Sequence, residues 1–263
     1  MGRLDSMALT LTSPSTPTWR PTFREPLLTF LAATALASGL FWLGRLVPVV
    51  HRNLHALIAI VFFYAPVAAG RLARRPFDFR EAGLRMDPVR TNAAVLSLAV
   101  AVTFPLFILG FFLFYGLVCG PPAVGGVLGD LLGRMCPGPV WLGWGGGHLR
   151  FPPDFALLAA NQVLVIALPE EMFFRGYLLG RLEACWPSRR RFGGASVGLA
   201  LLASSLLFAL GHFLVDFNPQ RLAVFFPALV FGWMRARTGS VAAGTAFHAL
   251  CNLLADVLHT SYF

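Results

Sequence analysis

The sequence predicts an all-α fold, a polytopic membrane helical bundle of about seven transmembrane helices, and three observations carry that prediction. Hydrophobic residues make up 57% of the 263-residue chain against 13% charged, with a mean hydropathy of +0.69, far from the balance of a soluble domain. Apolar runs of about the ~20 residues that a membrane-crossing helix needs recur along most of the length. The 21 basic residues are all arginines and fall between those runs, which suits loops facing anionic lipid and argues against nucleic acid as a partner.

Residues 1–25 are rich in Pro, Ser and Thr without apolar periodicity and are expected to form a mobile cytosolic tail, leaving 26–263 as a single transmembrane domain. The first apolar run spans about 27–50. Its ATALASG stretch resembles the end of a signal peptide, but the hydrophobicity continues through Phe41 and Trp42 toward Val50, so it reads as an uncleaved anchor. Further runs lie near 54–70, 93–119, 155–184, 195–215, 222–234 and 240–260, the one at 222–234 being the shortest. Between them, Gly and Pro cluster over 120–154, including GPP and WGGGH, and predict a long irregular loop with Trp141 and Trp144 at the interface. Four cysteines without a C-x-x-C pair indicate neither a zinc ribbon nor a disulfide framework; they are expected to pack, with Cys119 and Cys136 the one candidate disulfide. The absence of an internal repeat disfavours the inverted-repeat transporter folds.

Threading seven runs alternately places sixteen arginines on one side and five on the other (Arg45, Arg52, Arg134, Arg150 and Arg221). By the positive-inside rule the amino terminus is cytosolic and the carboxyl terminus outside.

An ionised side chain at mid-bilayer costs roughly 2.5 to 3.5 kcal/mol on insertion scales, so each one needs a partner or a function. Glu170, Glu171, Arg175, His212 and His248 stand out, joined by Asn252, which is four residues after His248 and shares its helix face. Glu171 and Arg175 are also four apart in the order that favours an intrahelical ion pair. Glu170 sits about 100° round the helix and must find its partner on another helix or in a polar cavity. Pro169, just before it, lacks a backbone donor and should distort the helix at that level. A carboxylate and an imidazole beside one water can polarise it as a general base, and His248, as a neutral ring, with the Asn252 amide could donate to an oxyanion. Each residue also has a plainer reading: Glu171 with Arg175 as a structural ion pair, Asn252 as interhelical glue, His212 as a packing histidine. Asp256 falls on the face of His248 and Asn252 or at an exposed helix end, while His51, His55, His148 and His259 are given no site role.

EEMFFR at 170–175, FALGH at 208–212 and HALCN at 248–252 follow in order the pattern Glu-Glu-x-x-x-Arg, Phe-x-x-x-His, His-x-x-x-Asn. On these motifs the chain resembles the CPBP family of intramembrane proteases, which includes the type II CAAX prenyl endopeptidases and bacteriocin-processing proteins, over roughly 155–260. PEEMFFRGYL is similar to the myxosortase branch, which trims carboxyl-terminal anchor segments. The resemblance implies a glutamate-dependent endopeptidase needing no metal or cofactor. In it Glu170 and His212 activate water, His248 and Asn252 form the oxyanion site, and Glu171 and Arg175 hold the helix in shape. It further implies a bacterial inner-membrane location, contact with membrane lipid, and a protein substrate with a lipidated or membrane-anchored carboxyl-terminal segment. Competing readings are a zinc protease using Glu170, His212 and His248, a non-catalytic scaffold or immunity protein, and a proton-coupled transporter.

If the fifth helix enters the membrane at Ala195, His212 lies about 25 Å deep, whereas His248 is about 12 Å in from Ser240. The two depths agree only if the fourth helix continues to about Ala184 and pairs with an equally protruding start of the fifth. The sequence therefore predicts a protruding helical hairpin with the arginines of 189–191 at its tip.

Overall fold

The computed structural model describes residues 22–119 and 141–263. All but the last four residues of the expected tail lie outside this range, and helix α1 (Arg24–Gly44) opens at once, with Glu25 in its first turn. The first run stops short of residue 50. The residue before a proline is pushed out of the helical region, and Val47 is extended (φ −118°, ψ 105°), so the chain restarts at Pro48 as the short helix α2 (Pro48–Arg52). Helices α3 (Leu54–Leu72) and α4 (Val89–Val118) follow. The 30 residues of α4 rise about 45 Å at 1.5 Å per residue, more than a ~30 Å hydrocarbon core, so it must lie tilted if it spans.

Residues 120–140 of the expected irregular loop fall outside the described residues. Beyond them, a one-turn helix α5 (Gly143–Gly146) leads to α6 (Phe155–Cys185). Trp141 packs in an aromatic cluster, its ring centroid 5.8 Å from those of Phe111 and Phe112 and 5.9 Å from that of Tyr262. Cys119 departs from the expected packing role, being disulfide-bonded; Cys136 lies outside the described residues, and Cys185 and Cys251 are free thiols.

Helix α6 does reach Cys185, as the depth argument required, but the connection after it is a β-hairpin and not a helical one. Pro187 ends the helix, and β1 (Arg190–Phe192) pairs antiparallel with β2 (Ala195–Val197), Arg190 opposite Val197. The tip is Gly193–Gly194, both at positive φ (+55° and +77°), which a two-residue hairpin turn demands and glycine supplies without strain. The arginines of 189–191 therefore lead into the hairpin and do not cap it.

Helix α7 (Leu199–Asp216), a 3₁₀ turn (Pro219–Val224), α8 (Phe225–Thr238) and α9 (Ala242–Tyr262) complete the chain. Among the described residues, five helices are long and apolar enough to cross a membrane: α1, α3, α4, α6 and α7. The expected seven are not reached. With 14 residues α8 rises only about 21 Å, and α9 carries His248, Asn252, Asp256 and His259 along its length.

A phenylalanine-rich core surrounds the second half of α6, where Phe173, Phe174, Phe208, Phe231 and Phe247 are buried, while leucines of α1 and α4 such as Leu28, Leu36, Leu106 and Leu113 point outward, as lipid contact requires. Three elements are tied together at Glu25. Its carboxylate takes Arg75 (2.6 Å) and Arg181 (3.4 Å), and the Tyr177 hydroxyl lies 3.4 Å from it.

Candidate active site

The geometry of the site begins with a helix that is not a plain α-helix. Gln162–Ala167 and Met172–Leu178 form π turns, leaving the four residues of LPEE as an α turn between them. Leu168 N–H bonds to Val163 O and Leu179 N–H to Phe174 O, five residues back in each case. Pro169 has no N–H to give, so widening the ladder beside it spares one carbonyl from waiting on an absent donor. The result is that two adjacent carboxylates point to different surroundings.

Glu171 is fully buried and is clamped from two sides. Its Oε1 accepts from Arg175 Nη1 at 2.9 Å and from His248 Nδ1 at 3.1 Å. Arg175, itself 1% exposed, donates also to the Ala228 carbonyl (3.3 Å) and lies over the rings of Phe208 and Phe231, with Cζ 4.2 and 4.8 Å from their centroids. Desolvating such a pair is costly unless its remaining donors and acceptors are met, and the second hydrogen bond and the two aromatic faces do much of that. The expected intrahelical pair is therefore present, with His248 as an added third member.

Glu170 faces a cavity of about 380 Å³ between α1, α3, α6, α7, α8 and α9. Its Oε2 is buried with no hydrogen-bond partner and lies 3.8 Å from the Nε2 atoms of both His212 and His248. His212 Nδ1 is 2.9 Å from the Phe208 carbonyl, which can only accept, so Nδ1 carries a proton and the neutral ring presents a bare Nε2 toward Glu170. Two acceptors 3.8 Å apart on a cavity wall suit one water that donates a proton to each. His212 and Glu170 are thus close, although their residues enter from opposite ends of their helices.

His248 is placed differently from its expected use as a neutral donor. Glu171, paired with Arg175, can only accept, so His248 Nδ1 is the donor in that bond, and a neutral ring then offers a lone pair at Nε2. It donates toward the cavity only when Nε2 also carries a proton. Asn252 lines the same cavity, one amide hydrogen given to Gln162 Oε1 at 2.8 Å and the other left over. Gln162 in turn donates to Asp256 at 3.4 Å, so Asp256 does extend the His248 face.

All six residues singled out in the sequence converge here. Three cavity neighbours were not. Gln162 could have been noticed as an amide in an apolar run two turns before Glu170, whereas His55 and Arg221, which line the cavity from α3 and the 3₁₀ turn, belong to no motif and are brought in by tertiary packing. Among the described residues, no three His, Cys, Asp or Glu side chains are gathered as a metal-holding set.

Residues 152–254 match the family model described as type II CAAX prenyl endopeptidase Rce1-like. No curated protein and no solved structure matches the chain.

Proposed function

We propose that this chain, whose segment 152–254 belongs to the type II CAAX prenyl endopeptidase Rce1-like family of membrane proteases, hydrolyses a peptide bond by glutamate-activated water. The observation that carries this reading is the unpartnered Glu170 Oε2 on the cavity wall, 3.8 Å from two imidazole nitrogens. Glu170 and the His212 Nε2 lone pair hold the water. As its oxygen adds to the substrate carbonyl, Glu170 takes one of its protons, and the carbonyl becomes an oxyanion. The free amide hydrogen of Asn252, and His248 when protonated at Nε2, donate to that oxyanion. When the C–N bond breaks, the proton held by Glu170 passes to the leaving amine, so the carboxylate is restored and one water has been consumed.

Glu171 and Arg175 support this arrangement without touching substrate, since Glu171 fixes the His248 ring through Nδ1. The substrate class that fits is a membrane-associated protein cut near its carboxyl terminus, reached within the lipid phase. In the same reading the arginine-rich face is cytosolic, with the amino-terminal tail on that side and the carboxyl terminus opposite, in the inner membrane of a bacterium. The test compares wild type with Glu170→Gln in the native cell, by mass spectrometry of carboxyl-terminal peptides from membrane proteins. A set of proteins that keeps its terminal segment only in the variant is the expected result. Unchanged termini alongside a phenotype in a null strain would turn the polar cluster into a binding or proton-handling site.

A further inference from the structure

We infer that the groove between the start of α4, the end of α8 and the β-hairpin is a binding site for an anionic phospholipid. Arg90 and Arg237 line it, with Val95, Leu98 and Trp233 as its apolar side and Gly193 at its edge, and it encloses about 410 Å³. Both arginines are exposed, and among the described residues neither is paired with a carboxylate. Two guanidiniums over one groove repel each other unless an anion sits between them, and a phosphate takes each in a forked pair of hydrogen bonds. Exposed Leu98, two turns along α4 from Arg90, gives an acyl chain a surface that free phosphate has no use for.

The hairpin builds this site. Trp233 Nε1 donates to the Phe192 carbonyl at 3.1 Å, anchoring the hairpin to α8. A Cβ on Gly193 would come within 3.0 Å of that same indole nitrogen, and one on Gly194 within 2.7 Å of Arg237 Nε. The glycine turn therefore lets both side chains lie against the hairpin backbone, which holds the Arg237 head in place. Arg190 and Arg191, exposed on β1, extend the positive surface beside the groove.

Native mass spectrometry of the full-length chain, exchanged from detergent containing equal phosphatidylglycerol and phosphatidylcholine, tests this. Wild type should retain phosphatidylglycerol in preference, and Arg90→Gln with Arg237→Gln should cut that retention by about 25-fold, about fivefold for each guanidinium. Arg45→Gln, on the opposite side, should change nothing, and Arg237→Gln alone should fall between. Gly193→Ala provides a second route, since it disturbs the groove without removing a charge and should also lower retention. Equal retention of the two lipids, unchanged retention in the double variant, or complete displacement by inorganic phosphate at matched ionic strength would each overturn the inference.

Discussion

The Arg175 guanidinium lies 4.2 Å from the centre of the Phe208 ring, and the backbone carbonyl of that same Phe208 receives the Nδ1 proton of His212. One residue thus joins the buried ion pair to the water-holding imidazole, its ring packing on one and its carbonyl fixing the tautomer of the other. This is the physical sense of a phenylalanine four residues before the histidine. The ring of Phe208 also stands 4.4 Å from that of His212, so its position is fixed from both sides.

The joint makes a prediction about stability. Arg175→Met leaves Glu171 charged and buried without its main partner and should cost about 3–5 kcal/mol in denaturant unfolding of the purified protein. Adding Glu171→Leu to the same chain should recover most of that loss, because no buried charge then remains unpaired. Equal stability of wild type and the single variant would remove the ion pair from any structural role.

Glu170→Gln should behave in the opposite way. The carboxylate pairs with nothing it would destabilise by leaving, so unfolding should stay near that of wild type while cleavage of a carboxyl-terminally anchored peptide in proteoliposomes falls by about 10²–10⁴-fold. His212→Ala should fall within the same range, and combining the two should add little further, because they act on one water. Additive losses would mean that the two side chains serve separate steps.

Asn252→Ala should lower kcat by about 10²–10³-fold with KM little changed, the signature of a donor used only in the transition state. Gln162→Leu, which releases the Asn252 amide without removing it, should give a smaller loss of the same kind. A rise in KM at constant kcat in either variant would assign the amide to substrate binding instead.

Close packing at α6 can be read through two of its glycines. A Cβ on Gly176 would come within 2.9 Å of the Ala82 carbonyl oxygen, a backbone atom that cannot swing away, so Gly176→Ala should destabilise the protein by about 1–3 kcal/mol. Gly180, one turn on, has nothing within 4 Å, and Gly180→Ala should be neutral or stabilising by up to ~1 kcal/mol. Thermal unfolding of the two variants side by side reads the difference.

Incubation with a chelator should leave cleavage unchanged, since both histidines and Glu170 have roles that need only protons. Loss of activity that zinc restores would replace the glutamate-centred reading with a metal one.

What the sequence made legible depended on how local the cause was. The Glu171–Arg175 pair and the shared face of His248, Asn252 and Asp256 follow from a four-residue spacing, and both could be read without a structure. The two π turns could not, because Pro169 announces a distortion without saying whether the helix kinks or widens. The helical hairpin was misread for a similar reason. Arginines look like a solvent-exposed tip, yet Gly193–Gly194 is the stronger local instruction, since both residues can take the positive φ of a tight turn. The expected span count failed at α8, where apolar composition was visible but the chain needed too few residues to join the 3₁₀ turn to Gly239. His55 and Arg221 reach the cavity from segments with no motif, and only the packing of α3 and α7 against α6 brings them there.

The LPEE turn between two widened turns has its azimuth set by counting. Each π turn carries one residue more than an α turn would, so deleting a single residue from 162–167 would let that stretch close into an ordinary helix and swing everything after it by about 100°. Glu171 would then occupy the slot of Glu170, and the arginine would follow it round. Which of two identical side chains meets the cavity is thus decided by chain length upstream and not by chemistry at the position itself, so a one-residue deletion could silence the site while leaving every motif letter intact.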